Sequence, residues 1–180
     1  MSIVDKIVEL NETLTTHDVP HAFGGALALA WCTQQARGTI DIDINLFVEP
    51  EQAERVLSVL PSGVDVTKGG RDQIARDGQA RLWWNETPLD MFFNTTPFHA
   101  AVATRARTET FAGRGVPFLA CRDVAVFKGF FDRPKDWVDL REMAVAGSLD
   151  FEAVVGVLAL HLGGADDRIE KLRSLASEIS

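Results

Sequence analysis

Two aspartates stand two residues apart in a segment whose polar and apolar side chains alternate. Within residues 37–48 the isoleucines alternate with a polar set, Thr39, Asp41, Asp43 and Asn45. On an extended strand this alternation places the polar side chains on one face and the isoleucines on the other. Alternate residues of a strand are about 6.5 Å apart, so the two carboxylates can converge on one or two Mg²⁺ ions. The pattern predicts a metal site at Asp41 and Asp43 and phosphoryl or nucleotidyl transfer chemistry, with an ordinary polar edge strand as the alternative.

A pair of glycines precedes these aspartates by about one helix length. Gly24 and Gly25 stand before residues 27–35, which can form a short helix. Glycines in such a turn let the backbone approach a ligand closely and point N–H groups at phosphate oxygens. A simple tight turn is the alternative. Because the turn and the aspartate pair fall on adjoining predicted strands, we predict that the two glycines bind a nucleotide beside the metal site.

A third carboxylate interrupts an apolar segment downstream. Asp90 is the one charged residue of the segment Pro88 to Phe93. Burying a carboxylate without a partner is costly, so we predict that Asp90 faces the same polar cleft as the aspartate pair. An edge-strand aspartate beside the turn at Pro88 is the alternative. His99 is a lesser candidate for the cleft, because it follows Asp90 closely in sequence.

These features, in this order, resemble the nucleotidyltransferase superfamily with the polymerase-beta-like fold. The resemblance rests on Gly24-Gly25, on Thr39-Ile-Asp41-Ile-Asp43 and on the isolated Asp90. It implies that the glycine turn holds a nucleoside triphosphate, that the paired aspartates bind two Mg²⁺ ions, and that the third acid helps to activate the attacking hydroxyl. Two such ions, about 3.5 to 4 Å apart, can clamp the attacking and leaving oxygens of an in-line displacement.

The second half of the chain narrows this resemblance. Residues 127–140 are similar to the Lys, Arg-x-Lys-Asp and Asp-Leu signature of AbiEii-type nucleotidyltransferases, which include toxins of bacterial toxin-antitoxin pairs. The resemblance implies Lys128 and Lys135 as triphosphate contacts and Asp136 as a catalytic acid. It also implies transfer of a pyrimidine nucleotide, chiefly CMP from CTP, to the 3′ end of tRNA, and a cognate antitoxin that is a kinase or an inhibitor.

The same residues have simpler interpretations. Asp136 follows Pro134, which favours the first turn of a helix, where an acid suits the helix dipole. Lys135 and Asp139 are four residues apart and can pair on a helix surface. Lys128 lies in an apolar stretch, from which its alternative is to extend its amine to solvent.

Thr39 shares the predicted metal-facing side of the strand. We predict that its hydroxyl contacts a triphosphate oxygen, and the resembling toxins carry a phosphorylation site here that silences the enzyme. A phosphate would add close to two negative charges where the triphosphate must bind. The alternative is a β-branched residue chosen for strand propensity.

The predicted fold class is α+β. A small mixed β-sheet forms a nucleotidyltransferase core over residues 1–119, and a helical C-terminal subdomain over residues 120–180 packs on it. The predicted elements besides the glycine turn and the aspartate strand are helices at 2–16, 51–60 and 97–107, a strand at 64–66, hairpins at 80–93 and 108–119, and helices from 121 onward with breaks near 133, 147 and 163–164.

Length and composition fit a compact enzyme. The chain has 180 residues, 46% of them hydrophobic, which is enough to bury a core. It has no apolar run of the roughly 18 residues that a membrane span needs, and it lacks a signal-peptide pattern. We therefore predict a cytoplasmic protein with no membrane partner. Cys32 and Cys121 show no Cys-x-x-Cys spacing and are predicted to be buried free thiols rather than a disulfide or a zinc site.

The chain is acidic overall, but its middle third is basic. The net charge is -8, whereas residues 68–122 carry eight basic and five acidic side chains. This segment is the predicted anion-facing surface, whose arginines would contact RNA phosphates. Trp83 and Trp84 are available to stack a terminal base, but neighbours on a strand face opposite sides, so at least one is predicted to be core.

Three functions of different classes are compatible with these patterns. The leading one is a Mg²⁺-dependent toxin that transfers a nucleotide to tRNA. The second is a nucleotidyltransferase that acts on a small molecule, such as an antibiotic, or on a protein hydroxyl. The third is a catalytically silent module that binds nucleotides.

Overall fold

The computed structural model describes residues 1–179 of the chain, which form two compact units. The first unit contains Met1–Leu27 and Gly38–Leu119. The second contains Ala28–Arg37 and the chain from Ala120 onward. The segment that follows the glycine turn thus belongs with the C-terminal helices.

The first unit is built on a mixed sheet of seven strands. The strands are β1 (His21–Phe23), β2 (Ile42–Leu46), β3 (Val64–Asp65), β4 (Gln79–Trp84), β5 (Thr87–Phe93), β6 (Arg107–Phe111) and β7 (Arg114–Phe118). Their order across the sheet is β3-β4-β5-β2-β1-β7-β6. The pairs β2/β5 and β1/β7 are parallel and the other neighbours are antiparallel. The predicted α+β class with a mixed sheet is confirmed.

Helices of the first unit follow local sequence signals. They are α1 (Ile3–Thr16), the start of α2 (Gly25–Thr33), α3 (Ala53–Leu57), α4 (Lys68–Asp77) and α5 (Pro97–Val102), with 3-10 turns at Pro50–Gln52 and Ala103–Arg105. Ser2 and Asp5 cap the start of α1 reciprocally, and the helix buries Ile7, Leu10 and Leu14.

Helix α4 was not predicted, because two of its residues are glycines, which disfavour helix interiors. The structure shows the compensating signals at its two ends. The Thr67 side chain accepts a hydrogen bond from the Gly70 backbone at the start, and Gly78 ends the helix with φ +67°.

The second unit is helical, as predicted. It contains most of α2 together with α6 (Cys121–Phe131), α7 (Pro134–Val145), α8 (Phe151–Leu162) and α9 (Asp167–Ile179). The breaks coincide with Asp132 in the left-handed conformation, Pro134 in the first turn of α7, and Gly147 and Gly163 with positive φ. A Cβ on Gly129 would lie 2.7 Å from Leu158 Cδ1, so the glycine permits α6 and α8 to pack closely.

The prediction of free thiols was wrong. Cys32 of α2 and Cys121 at the start of α6 form a disulfide, with Cα atoms 5.4 Å apart. The two residues are 89 positions apart in sequence, so no local spacing indicated the pair. Among residues 1–179, no helix is both long and apolar enough to cross a bilayer.

Candidate active site

Three charged residues form one row across neighbouring strands of the first unit. Asp43 of β2 is directly opposite Asp90 of β5, and Asp90 is directly opposite Arg81 of β4. Directly opposed residues of a sheet project to the same face. The sheet therefore brings together two of the acids that the sequence predicted to share a cleft.

The third acid, Asp41, lies just before the strand rather than in it. Strand β2 begins at Ile42, and Ile40 is 82% exposed, so the predicted alternation over residues 37–48 is wrong at its start. The Thr39 hydroxyl explains the difference, because it lies 2.6 Å from Asp41 Oδ1 and accepts a hydrogen bond from the Asp41 backbone at 3.3 Å. This local bonding competes with the sheet for the backbone and holds the Asp41 carboxylate beside Thr39.

Arg81 connects these acids. Its guanidinium donates two hydrogen bonds to Asp90, from Nε at 2.7 Å and from Nη2 at 2.5 Å, and Nη2 lies 3.9 Å from Asp41 Oδ2. The hydrogen bonds to Asp90, and the charges of Asp90, Asp41 and Asp43, raise the pKa of Arg81 despite its partial burial. From the sequence, Arg81 was counted only as part of the basic segment, and the observed register of β4 and β5 places it opposite Asp90.

The glycine turn contacts the second acid of the pair. Gly25 has φ +54°, and a Cβ there would lie 1.8 Å from Asp43 Oδ2. The Asp43 carboxylate therefore lies directly against the Gly25 backbone at the first turn of α2. The Gly24 N–H donates to the Asp43 carbonyl at 2.9 Å, so this N–H is used within the protein. The first turn of α2 begins at Gly25, and the backbone N–H groups of a first helical turn can bind an anion.

His99 contacts Asn45, which packs beside the glycine turn. It is buried, and its Nε2 lies 3.0 Å from Asn45 Oδ1. Burial lowers the pKa of His99 to about 4, against the opposing effect of a hydrogen bond to the Phe93 backbone, so the ring is neutral near pH 7. Asn45 in turn packs beside Gly24, where an added Cβ would meet its Nδ2 at 3.0 Å. These contacts give His99 a structural role.

Lys128 lies in the second unit, within a cluster of charges. Its side chain is buried, and its Nζ lies 2.5 Å from Asp139 Oδ2 and 3.6 Å from Asp136 Oδ1. Arg37 donates to the other oxygen of Asp139. Burial raises the pKa of Asp139, but the hydrogen bonds from Lys128 and Arg37 outweigh it, so the pKa is below the ordinary value. The amine of Lys128 is thus already paired with carboxylates.

Asp136 and Lys135 differ sharply in their surroundings. Asp136 is fully buried and accepts hydrogen bonds from the Arg133 backbone at 3.2 Å and from its guanidinium at 2.7 and 3.1 Å. It therefore caps the first turn of α7, where an acid also suits the helix dipole. Lys135 is exposed. The alternative pair of Lys135 with Asp139 is not formed, because Asp139 bonds to Lys128 and Arg37.

The oxygen donors of the first unit fit a magnesium ion that arrives with a nucleotide. Within residues 1–179 no three His, Cys, Asp or Glu side chains are grouped as a metal site. Mg²⁺ is commonly held by one or two carboxylates together with substrate phosphates and water, rather than by a cage of protein ligands. Asp41 and Asp43 match that donor set, and the Asp43 carboxylate lies against the Gly25 backbone, so a magnesium ion on Asp43 would be next to the glycine turn.

Comparisons with known proteins identify the fold. No family model matches the chain, and no curated protein matches it. The antibiotic-resistance factor ANT(2'')-Ia has a TM-score of 0.58 at 14% identity, with 97% of each chain covered. A nucleotidyltransferase-like protein from Paracoccidioides brasiliensis has a TM-score of 0.59 at 14% identity, covering 94% of this chain and 91% of that one. The lincosamide antibiotic adenylyltransferase LnuA has a TM-score of 0.53 at 13% identity, covering 78% of this chain and 95% of that one. At such identities the likeness concerns architecture, and the chain has the nucleotidyltransferase fold.

Proposed function

We propose that the protein transfers a nucleotide from a nucleoside triphosphate to a hydroxyl group, with Mg²⁺ bound at Asp41 and Asp43. The observation that carries this proposal is the contact between the Asp43 carboxylate and the Gly25 backbone. It joins a carboxylate suited to magnesium with a turn suited to phosphate. The register of Asp43 with Asp90 adds a further acid on the same face of the sheet.

The proposed reaction is an in-line displacement at the α-phosphorus. The acceptor oxygen forms a bond to this phosphorus, the bond from phosphorus to the oxygen shared with the β-phosphate breaks, and pyrophosphate leaves. Asp90 takes the proton of the acceptor hydroxyl, and the first-turn N–H groups of α2 hold phosphate oxygens. Bound magnesium would neutralise charge on the triphosphate.

Three residues of the second unit differ in how available they are to a ligand. We keep Lys128 and Lys135 as candidate triphosphate contacts and Asp136 as a candidate catalytic acid. Exposed Lys135 is free to meet an anion. Lys128 must exchange Asp139 for phosphate, and Asp136 already caps a helix.

The acceptor that we propose is a small hydroxylated molecule. The antibiotic-resistance factor ANT(2'')-Ia and the lincosamide antibiotic adenylyltransferase LnuA match this chain over 97% and 95% of their own lengths. The charge distribution also favours a small acceptor over RNA. Of the eight basic residues in 68–122, at least six form ion pairs: Lys68, Arg71, Arg76, Arg81, Arg107 and Arg114. Paired arginines offer little free charge to an RNA backbone.

The 3′ end of tRNA is the second candidate acceptor, with CTP as the donor and an antitoxin as partner. Exposed Trp83 favours it, because an unpaired base stacks well on an exposed aromatic ring. Trp84 is buried, which confirms the prediction that at least one of the two tryptophans is core.

A transfer assay tests the function and separates the acceptors. The purified protein is incubated with Mg²⁺, each of four α-labelled nucleoside triphosphates, and either total bacterial tRNA or a panel of aminoglycoside and lincosamide antibiotics. We expect label in a small acceptor. Label in tRNA alone would instead support the second candidate and name its nucleotide.

Substitutions at the aspartate pair serve as the internal check. Asp41→Asn and Asp43→Asn should each lower transfer by at least a hundredfold while the protein stays folded, since the carboxylate charge is lost. Exposed Asp72 supplies the matched control, and Asp72→Asn should transfer at the wild-type rate. If Asp43→Asn transfers nucleotides at the wild-type rate, the proposed site is wrong.

Phosphorylation of Thr39 is proposed as an off switch for the same site. Thr39 lies outside β2, so strand propensity does not explain it, and its hydroxyl is in contact with Asp41. A phosphate there would place close to two negative charges beside the proposed metal ligand. Protein carrying phosphothreonine at position 39 should not transfer nucleotides, whereas phosphothreonine at exposed Thr15 of α1 should have no effect. Undiminished transfer by the first sample would end the proposal.

A further inference from the structure

Arg81 occupies a special position among the arginines of the first unit. Its guanidinium bonds to both oxygens of Asp90 and approaches Asp41, while Asp43 lies in the next register position beyond Asp90. One positive charge is therefore placed among all three acids. A paired guanidinium of this kind is held by two charge-assisted hydrogen bonds at once.

The Arg81 side chain is able to leave the acids without disturbing the core. It is about half exposed, at 51%, whereas the Asp90 side chain is 16% exposed. Its strand neighbours Ala80 and Leu82 are buried on the opposite face of β4. Moving the guanidinium therefore costs hydrogen bonds and charge attraction, but no buried apolar contact of β4.

A divalent cation at Asp41 and Asp43 would face this guanidinium directly. Arg81 Nη2 lies 3.9 Å from Asp41 Oδ2, which is the distance of an ion pair. Two cations that share one carboxylate repel each other and draw on the same negative charge. The ion and the guanidinium cannot both have the full attraction of Asp41.

We propose that Arg81 competes with the divalent cation for the acids, so that the protein alone binds metal weakly and binds it well only together with the triphosphate. The triphosphate adds the negative charge that Arg81 neutralises in its absence. This inference rests on the proposed metal role of Asp41 and Asp43. It adds that Arg81 weakens metal binding when no nucleotide is bound. Arg81 thereby acts as a positioning residue for Asp90 and as a regulator of metal binding.

Metal binding without nucleotide is the direct test. Mn²⁺ is titrated into the purified protein, and free Mn²⁺ is followed by electron paramagnetic resonance. Arg81→Gln should bind Mn²⁺ about tenfold more tightly than wild type, because one competing charge is removed. Arg81→Lys keeps the charge but loses the paired geometry, and we expect it to lie between the two.

Arg76 supplies the matched control. It forms an equivalent two-point pair with Asp77 in the same unit, through Nε at 2.9 Å and Nη2 at 2.7 Å. Arg76→Gln therefore changes the net charge equally, away from the acids. It should bind Mn²⁺ as wild type does. Circular dichroism of each variant confirms that it is folded.

The outcomes separate this proposal from the proposed function. Unchanged or weaker Mn²⁺ binding by folded Arg81→Gln overturns the competition, and so does equal tightening in Arg76→Gln. If neither wild type nor Arg81→Gln binds Mn²⁺ at all, the competition is overturned as well. Mn²⁺ binding by Asp43→Asn as strong as that of wild type would instead overturn the metal site itself. If the wild type transfers nucleotides but Arg81→Gln binds Mn²⁺ no more tightly than the wild type does, the proposed function is supported and only the competition is overturned.

Discussion

At the residue scale, Gly25 matters because the Asp43 carboxylate lies against its backbone. An alanine there would adopt φ +54°, which costs about 1 to 2 kcal/mol for a residue with a Cβ, and its methyl group would overlap the Asp43 carboxylate. Asp43 would have to move. Since a displacement of about 1 Å can cost a hundredfold in rate, Gly25→Ala should lower nucleotide transfer by about that factor.

Gly113 provides the control for this prediction. It also has a positive φ, +76°, but no atom lies within 4 Å of the position of an added Cβ. Gly113→Ala should therefore lose only the unfolding free energy due to backbone strain, measured by urea denaturation, and should transfer normally. Equal transfer by the two variants would mean that the contact between Gly25 and Asp43 has no functional role.

The sequence predicted which acidic residues share a face of the sheet, but it did not predict their ion-pair partners. Asp43 and Asp90 face the same side of the sheet, as predicted from the sequence. The partner of Asp90, Arg81, was counted only as part of a basic segment. From the sequence, Arg81 is only one positive charge among several. The pairing of β4 with β5 makes it the ion-pair partner of Asp90.

At the element scale, a disulfide links α2 to α6. A cross-link between residues 89 positions apart restricts the unfolded chain, and such loops correspond to about 4 kcal/mol of stability. Reduction should therefore lower the melting temperature by about 10 °C for a chain of this length. Differential scanning fluorimetry with and without dithiothreitol measures this shift.

A double variant controls for other effects of the reductant. Cys32→Ala with Cys121→Ala should melt at the same temperature with and without dithiothreitol. Thiol titration of the denatured, unreduced wild type should find no free thiol. Two free thiols, or an equal response of the double variant to reductant, would argue against the cross-link.

Helices and hairpins were predictable where the sequence carries their end signals. Pro134 starts α7, and Gly113 lies in the turn of the β6–β7 hairpin, as their residue types indicate. Helix α4 escaped prediction because its glycines outweighed its end signals at Thr67 and Gly78. The start of β2 was misplaced because a side chain, Thr39, bonds to the backbone that alternation assigned to the strand.

At the scale of the whole molecule, buried histidines make stability depend on pH. Burial lowers the pKa of His99 from 6.5 to about 4, and burial also lowers that of His21. Between pH 6.5 and about pH 4, His99 binds a proton in the unfolded chain but not in the folded protein. The free energy of unfolding therefore falls as the pH decreases through this range. For His99 alone the loss across this window is about 3 kcal/mol. Asp139, whose pKa lies below 3.8, loses its stabilisation only at lower pH.

Urea unfolding at pH 7.5 and pH 5.0 measures this dependence. His99→Gln should be less stable than wild type at pH 7.5 but should lose less stability on acidification. His17, which is exposed, provides the control, and His17→Gln should behave as wild type. If His99→Gln keeps the full pH dependence, His99 is not the group responsible.

Sequence patterns were enough to predict the α+β class, the helices from residue 121 onward and the shared face of Asp43 and Asp90. Periodicity, turn residues and the spacing of Asp41 and Asp43 are local properties, and local properties decide which face of an element is polar. The tertiary structure alone decided the partners. Arg81 meets Asp90 across 9 positions, Lys128 meets Asp139 across 11, and Cys32 meets Cys121 across 89. Such contacts depend on how strands pair and helices pack, which no short stretch of sequence specifies.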